Sequence, residues 1–396
     1  MAATQTELAG PVSSYARRFH DIVGSGHQVA SPLGAWLVLA LTAPASAGQD
    51  RAVLTEVLGC DVDAAARIAA ELLTHPHPLV AAAAAVWNRP GMVSAQWLAG
   101  LPAVVQRGNV PDQAELDSWA RHHTFGLIDS FPIKIDPTVY LILATALATK
   151  VSWEQPFTLA PASSLGGTSP WARQLTSVLR TPAHGHVQFI AVTPEAGDVA
   201  VHMARARGGL VVMSVAAAPQ LAAADVLAVA YRLAVAQALG DPIEQRSLFD
   251  LPLGEDLLWS VQETSRGHEA ERCTAVLPAW SARSTHDLTD PGFGFAAAAS
   301  ALGGGDPWQA KQAAMARYSR IGFEAAAVTA MAISLSMLAP GGGLARTAEL
   351  RFGHPFAVVA VTVDEPKQQT ADRAAHGPWH GVPAFSAWVT EPQDAT

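Results

Sequence analysis

Apolar positions recur along this chain with two different periods, and the helical one dominates the first third. Ser31-Pro32-Leu33 opens an apolar run from Gly34 to Leu41. Ser31 suits an N-cap, whose side chain accepts a hydrogen bond from a free amide of the first turn, and Pro32 falls where a missing N–H costs nothing. A buried helix is predicted there. Val53, Leu54, Val57 and Leu58 lie at helical spacing and are followed by Gly59, the residue best suited to a left-handed stop. That marks a second, amphipathic helix, and Leu116, Trp119, Ala120 and His123 repeat its spacing. Val139 to Ala148 reads Val-Tyr-Leu-Ile-Leu-Ala-Thr-Ala-Leu-Ala and runs on to Trp153 and Pro156-Phe157. An apolar run of that length predicts a central strand buried on both faces. Leu210 to Val215 and Ala357 to Val363 predict further strands, and Ala222 to Leu239, free of internal Pro and Gly, predicts a helix. Helices come early and strands late without regular β–α–β alternation, so the class is α+β.

The loop-like stretches Ala160 to Pro170, Ala301 to Trp308 and Pro340 to Gly343 separate no regions of different composition, and no repeat is visible. One domain spanning residues 1–396 is expected. Half of the residues are hydrophobic and 15% are charged, which is the composition of a folded chain. A net charge of -9 offers no basic footprint, so neither nucleic acid nor an anionic membrane is an expected partner, and activation by a heparin-like polyanion is disfavoured. Cys60 and Cys273 are expected as two buried free thiols. Met1 to Glu7 lacks the basic start and apolar stretch of a signal peptide. Ala325 to Pro340, interrupted by Thr329, Ser334 and Ser336, falls short of the roughly 18 apolar residues of a membrane span. A soluble, cytoplasmic protein is the expectation, and secretion would need another route.

Chemistry-bearing motifs are sparse. There is no Gly-x-Ser-x-Gly elbow, no phosphate loop and no dinucleotide fingerprint. His75-Pro-His77, His122-His123 and His184-Gly-His186 each offer two metal-ligand types but no third ligand at useful spacing, so no metal is expected. Glu115 with Asp117, and Glu263 with Glu269, read as solvated charges rather than an acid and a base. No catalytic residue and no cofactor follow from the residues. The unusual segment is Gly322-Phe323-Glu324-Ala325-Ala326-Ala327-Val328-Thr329-Ala330-Met331-Ala332. Its alanines favour a short buried helix. The same small side chains suit an exposed segment that slides between two strands with alternate residues entering the core. The residues alone leave both open.

Several stretches together resemble the serpin family, in order and over nearly the whole chain. Ser31-Pro-Leu through Gly59 is similar to the family's Ser-Pro-Leu-Ser helix and the Leu-Gly helix end that follows. Leu116 to Ile128, with Trp119, Thr124 and Gly126, resembles its Asn-x-Trp-Val, Thr-x-Gly-x-Ile stretch. Leu141 to Phe157 matches in register at Leu141, Leu143, Ala146, Lys150, Trp153, Pro156 and Phe157, the most specific signal. Leu277-Pro278-Ala279-Trp280, Asp287-Leu288, His354-Pro355-Phe356 and Phe385 to Pro392 resemble its later motifs. The chain looks like a divergent member of bacterial type.

The resemblance implies a monomer of one domain with three β-sheets, about eight or nine helices and an exposed, metastable reactive-centre loop at approximately 320–345, and suggests an extracellular location as the alternative. It implies a suicide mechanism, in which a serine protease attacks the loop and the cleaved loop inserts as a new central strand. Gly322, Phe323, Glu324, Ala325, Ala326, Ala327, Val328 and Thr329 take the hinge position. Family spacing places the reactive bond at Ser336-Met337, flanked by Leu335 and Leu338, a bait for chymotrypsin-, elastase- or subtilisin-like pockets rather than trypsin-like ones. Ser31, Thr145, Trp153 and Gln312 take the sheet-opening region, where Ala35, Thr145 and Gln312 replace the usual Ser, Asn and His. Phe323 replaces a Thr or Ser and is expected to overpack the core on insertion, Arg320 replaces a Glu, and Gly322 to Pro355 is several residues longer than usual. An inhibitor is the first reading, a non-inhibitory binding protein of the same fold the second, and an enzyme with an unrecognised pocket the third.

Overall fold

A computed structural model describes residues 5–264, 270–304, 308–323, 344–364 and 376–396. From the N-terminus come helix α1 (Gln5–Val23), strand β1 (Gln28–Ala30) and helices α2 (Pro32–Thr42), α3 (Gly48–Leu58) and α4 (Val62–Thr74). Strand β2 (Ala81–Asn88), helix α5 (Ala95–Gly100), strand β3 (Gln106–Gly108), helix α6 (Gln113–His123) and strand β4 (Leu141–Ala148) follow. Next are β5 (Val151–Ser152), β6 (Thr158–Pro161), β7 (Ser177–Arg180), β8 (His186–Thr193), β9 (Gly197–Ala206), β10 (Leu210–Ala216) and helix α7 (Ala223–Leu239). The last part holds β11 (Gly254–Glu255), β12 (Trp259–Thr264), β13 (Glu271–Leu277), β14 (Trp280–Asp287), helix α8 (Phe295–Ala301) and β15 (Lys311–Tyr318). It ends with β16 (Gly322–Phe323), β17 (Ala345–Arg351), β18 (Phe356–Thr362) and β19 (Pro383–Val389).

Local chemistry sets the helix ends. The Ser31 hydroxyl accepts from the Gly34 amide and Pro32 opens α2, while Gly59 ends α3 at φ 69°, a conformation that costs glycine little. Asp112 and Glu115 form a reciprocal capping box at the start of α6. Glu115 therefore serves a helix end, and Asp117 accepts from the Phe131 amide and the Gln113 side chain, so neither is free for acid–base work.

Among the described residues the strands form four sheets, and the last two face each other as one sheet split by a cleft. The first runs β1-β19-β18-β10-β9-β8, antiparallel throughout. Its β10 and β18 are buried at every position because alternate residues serve two cores. Val211, Met213, Val359 and Val361 pack under α7, while Val212, Val358 and Ala360 point into the main core. The second sheet runs β11-β12-β17-β13-β7-β6, with one parallel pair, β13 and β17. The third runs β14-β15-β16-β5 and the fourth β3-β2-β4.

Strand β4 departs from its expected burial on both faces. Ile142, Ala144 and Ala146 are buried with Trp87, Leu116 and Trp119 beneath α6, whereas Leu141, Leu143 and Leu147 are only half-buried. The second face looks into an open cleft rather than a dry core. The expected loop from Ala160 to Pro170 holds the end of β6 and a single 3₁₀ turn, Ala162–Leu165. Cys60 and Cys273 are free but half-buried, and burial raises both thiols, Cys273 to about 12.

Buried histidines stitch the core. His20 Nε2 lies 2.8 Å from Ser386 Oγ, which also accepts the Tyr231 hydroxyl at 2.9 Å, so the three side chains form one buried hydrogen-bond chain. Burial, reinforced by the nearby His286, pushes His20 down to about 3. His77, His202, His286 and His354 are held below the ordinary imidazole range by the same desolvation. Unfolding frees these rings to take up protons near about pH 6.5, so stability is complete above that pH and is lost as pH falls below it. Each such ring contributes about 1.4 kcal/mol per pH unit within its window. Urea midpoints should therefore drop steadily from neutral to mildly acidic pH, with a shallower slope in His20→Leu. Equal slopes in the two proteins would contradict this assignment.

Candidate functional site

Strands β4 and β15 flank a cleft of about 300 Å³ lined by Leu141, Leu143, Thr145, Lys311, Ala313 and Phe323, among others. Among the described residues neither strand is paired on its cleft-facing edge, since β4 pairs only with β2 and β15 with β14 and the end of β16. The start of α2 forms the floor. Thr145 Oγ1, from β4, donates to the Gly34 carbonyl at 2.7 Å. Gln312, from β15, donates through Nε2 to the Ser31 carbonyl at 2.7 Å and accepts the Ser31 amide at 3.0 Å. Ser31 Oγ in turn donates to the Ala384 carbonyl at 2.8 Å. The replacements Thr145 and Gln312 thus hydrogen-bond, but to the helix backbone. Each half of the split sheet is fastened to the same helix turn rather than to the other half. Gly34 permits the approach, because a Cβ there would sit 3.3 Å from Leu147 Cδ1 and 3.5 Å from Thr145 Oγ1. Ala35, buried beside it, also lines the cleft.

The upper end is closed by a short bridge. Gly322 pairs with Ser152, and Phe323 with both Val151 and Tyr318, so β16 lies between β5 and β15 and antiparallel to each. Trp153 donates its amide to Ile321 O at 3.0 Å and its indole N–H to Ser319 O at 2.9 Å, and Phe157 N donates to Arg320 O at 3.0 Å. The Phe323 ring is 3% exposed and meets Trp280 and Tyr318 edge-on at centroid distances of 6.3 and 6.5 Å. This corrects the expectation that Phe323 first strains the core on insertion. Pairing begins at Gly322, so the ring is already inside and packed. Arg320 is half-buried and takes part through its carbonyl. Glu324, Ala325, Ala326, Ala327, Val328, Thr329, Leu335, Ser336, Met337 and Leu338 lie outside the described residues.

The other candidates are scattered. Glu263 pairs with Arg346 at 2.9 Å, and Glu269 lies outside the described residues. The histidine doublets find no third ligand, but His186 reaches His202, a residue the sequence reading did not single out. Among the described residues one cluster brings three metal-ligand types within 4.8 Å of one another: Asp364, His376 and His380. His380 Nδ1 already accepts the Asp364 amide at 3.0 Å, and the two imidazoles stack at 3.8 Å, so the set is hydrogen-bonded to itself. Its members fall on a return between β18 and β19, where no periodic spacing flags them.

No protein-family model matches the chain, and no curated protein matches it. Its structure is similar to that of native tengpin, a thermophilic serpin, at 13% identity and TM-score 0.66, covering 99% of this chain and 95% of that one. It is similar to Serpin48 of the insect Tenebrio molitor at 14% identity and TM-score 0.61, covering 99% and 100%. Human thyroxine-binding globulin with thyroxine gives 14% identity and TM-score 0.65, again covering 99% and 100%. The chain has the serpin fold, an α+β arrangement. No helix among the described residues is long and apolar enough to cross a membrane.

The floor bonds carry a stability prediction. Gln312→Ala leaves the amide of the buried Ser31 without its acceptor, while the Ser31 carbonyl keeps the Gly34 and Ala35 amides, and should cost about 1 to 3 kcal/mol. Thr145→Val removes one bond and should cost about 1 kcal/mol. Chemical denaturation measures both, and a neutral Gln312→Ala would show that the clasp contributes nothing.

Proposed function

We propose that this chain inhibits a serine protease as a suicide substrate, with the segment after Phe323 as bait. One observation carries the reading: the segment's first residues, Gly322 and Phe323, are already paired as a strand at the upper end of a cleft whose two edges are otherwise unpaired. Residues that follow would extend the same ladder downward, antiparallel to both neighbours. About ten such residues, at roughly 1 kcal/mol per net hydrogen bond, provide on the order of 10 kcal/mol before packing. That is a driving force able to drag an attached protease.

The chemistry belongs to the target. Its serine oxygen attacks a bait carbonyl, the peptide C–N bond breaks, the new amine leaves with the C-terminal part, and an ester links the enzyme to the N-terminal part. Insertion then has to outrun the water that would hydrolyse this ester. The chain itself supplies no catalytic group; it supplies a bond to cut and a cleft to fill. The proposed bond is Ser336-Met337, and its apolar surroundings suit a chymotrypsin-, elastase- or subtilisin-like pocket. Fold alone does not decide the matter, since one structure of this fold is a globulin complexed with thyroxine.

Incubation with chymotrypsin-, elastase-, subtilisin- and trypsin-like proteases tests the reading. The expected result is a complex that survives denaturation, with release of a C-terminal fragment beginning at Met337. Clean cleavage that leaves the protease active would overturn inhibition in favour of a binding protein. By strand alternation Ala325, Ala327 and Thr329 share the inward face of Phe323. Ala327→Glu would therefore carry a charge into the core on insertion and should turn the inhibitor into a substrate, cleaved at the same bond without a stable complex.

A further inference from the structure

The His184-Gly-His186 stretch plays no part in the cleft, yet it holds the segment that closes it. The register of β8 on β9 sets Gln188 opposite His202 and His186 opposite Ala204, which puts His186 and His202 diagonally on one face. His186 Nδ1 lies 3.0 Å from His202 Nε2, and His186 Nε2 lies 2.8 Å from the Gln155 carbonyl. Gly185, at φ 89°, presses against the Gln155 side chain so closely that a Cβ would collide with it. The segment 153–157 is thereby docked on the first sheet, aided by the bond from Glu154 N to Arg205 O at 2.9 Å. The same segment provides the three bonds from Trp153 and Phe157 to Ser319, Arg320 and Ile321.

Only one neutral proton arrangement satisfies the pair. A carbonyl can only accept, so His186 Nε2 carries the hydrogen and His186 Nδ1 is a lone pair. His202 Nε2–H must then donate to it, leaving His202 Nδ1 a lone pair that is fully buried and has no partner among the described residues. An added proton has no good place. On His186 Nδ1 it faces the His202 N–H; on His202 Nδ1 it is a charged donor with no acceptor. Tautomerising His202 merely moves the orphan donor to Nδ1. The surroundings offer no counterion. Phe157 lies edge-on to His186 at 4.5 Å and tilted to His202 at 5.4 Å, and Phe352 flanks His202 at 6.4 Å. Glu154 and Gln155 come from the docked segment, His184 precedes β8, Arg205 lies on β9, Tyr318 on β15, and Arg351 and His354 flank Phe352. None of their side chains bonds to either ring, and Arg351 is paired with Glu255 at 3.2 Å. Burial holds both rings below the usual imidazole range, and for His202 the neighbouring His186 adds to the effect.

We propose that the His186–His202 pair is an acid-released latch on the upper closure of the cleft. Neutral, it ties segment 153–157 to the first sheet and, through that segment, holds β16 in place. Protonated, it can keep both bonds only by burying a charged N–H that has no acceptor, so the added proton favours separating the rings or letting go of Gln155, which loosens 153–157 and with it Gly322 and Phe323. The latch rests on the fold and not on inhibition, and its test involves no protease.

Amide hydrogen exchange of the full chain, read by mass spectrometry and corrected for intrinsic rates, provides that test. Protection of peptides covering 151–157 and 319–323, which exchange by local opening, should fall about tenfold between about pH 7.5 and pH 5.5, while peptides from β10 and β18 change only as global stability does. His186→Gln retains an amide donor for the Gln155 carbonyl but does not titrate, so its profile should be flat. Should that variant fail to fold, histidine ring titration by NMR in the unaltered protein decides, because loss of protection must then follow His186 or His202. Protection independent of pH, an unchanged pH profile in His186→Gln, or loss that follows a different histidine would each overturn the latch.

Discussion

A pair of strand edges that face each other across a cleft, unpaired among the described residues, constrains the rest of this molecule. Backbone N–H and C=O groups are obligatory hydrogen-bonding groups, and strands normally satisfy them with neighbours on both sides. Here β4 and β15 have partners on their outer edges and a cleft between them. The half-buried second face of β4 follows directly, because an unpaired edge is tolerable only where water reaches it. The fold supplies two substitutes for the missing ladder. At the floor, Thr145 and Gln312 bond separately to the first turn of α2, and at the top, β16 bridges β5 and β15. An incoming strand would complete what these contacts hold apart.

The two fastenings differ in chemistry. The floor uses neutral amide and hydroxyl groups, whose strength does not change with pH. The top depends on segment 153–157, and that segment is docked partly through imidazoles. The cleft is thus held by neutral groups at its floor and by a segment docked partly through titratable groups at its upper end. Phe323 adds a packing element to the same end. Its ring completes an aromatic group with Trp280 and Tyr318, which themselves stack at 6.0 Å.

Much of this was legible in the order of residues. The Ser31-Pro32 cap, the Gly59 stop and the alanine-rich α7 are local events, settled by side chains within a few positions of one another, and the structure bears them out. Two strands of the first sheet, β10 and β18, were equally clear, because burial on both faces demands unbroken apolar runs such as Leu210 to Val215. The run through β4 was less clear. Its apolar residues are the same whether the second face meets a packed core or an open cleft, and only the absence of a neighbouring strand distinguishes the two.

What the sequence by itself determined was a handful of elements, among them α2, α3, α6, α7, β10 and β18, and the mixed α and β class, because those follow from periodicity and caps whose energies are local. It also singled out Thr145, Gln312 and Phe323 as unusual. What only the tertiary structure decided was whom those residues touch: the backbone of α2 for the first two, and an aromatic pocket for the third. The meeting of His186 with His202 and the convergence of Asp364, His376 and His380 belong to the same class. Such contacts join positions set by strand register or by a chain return, and no spacing along the chain encodes a register until the sheet has formed.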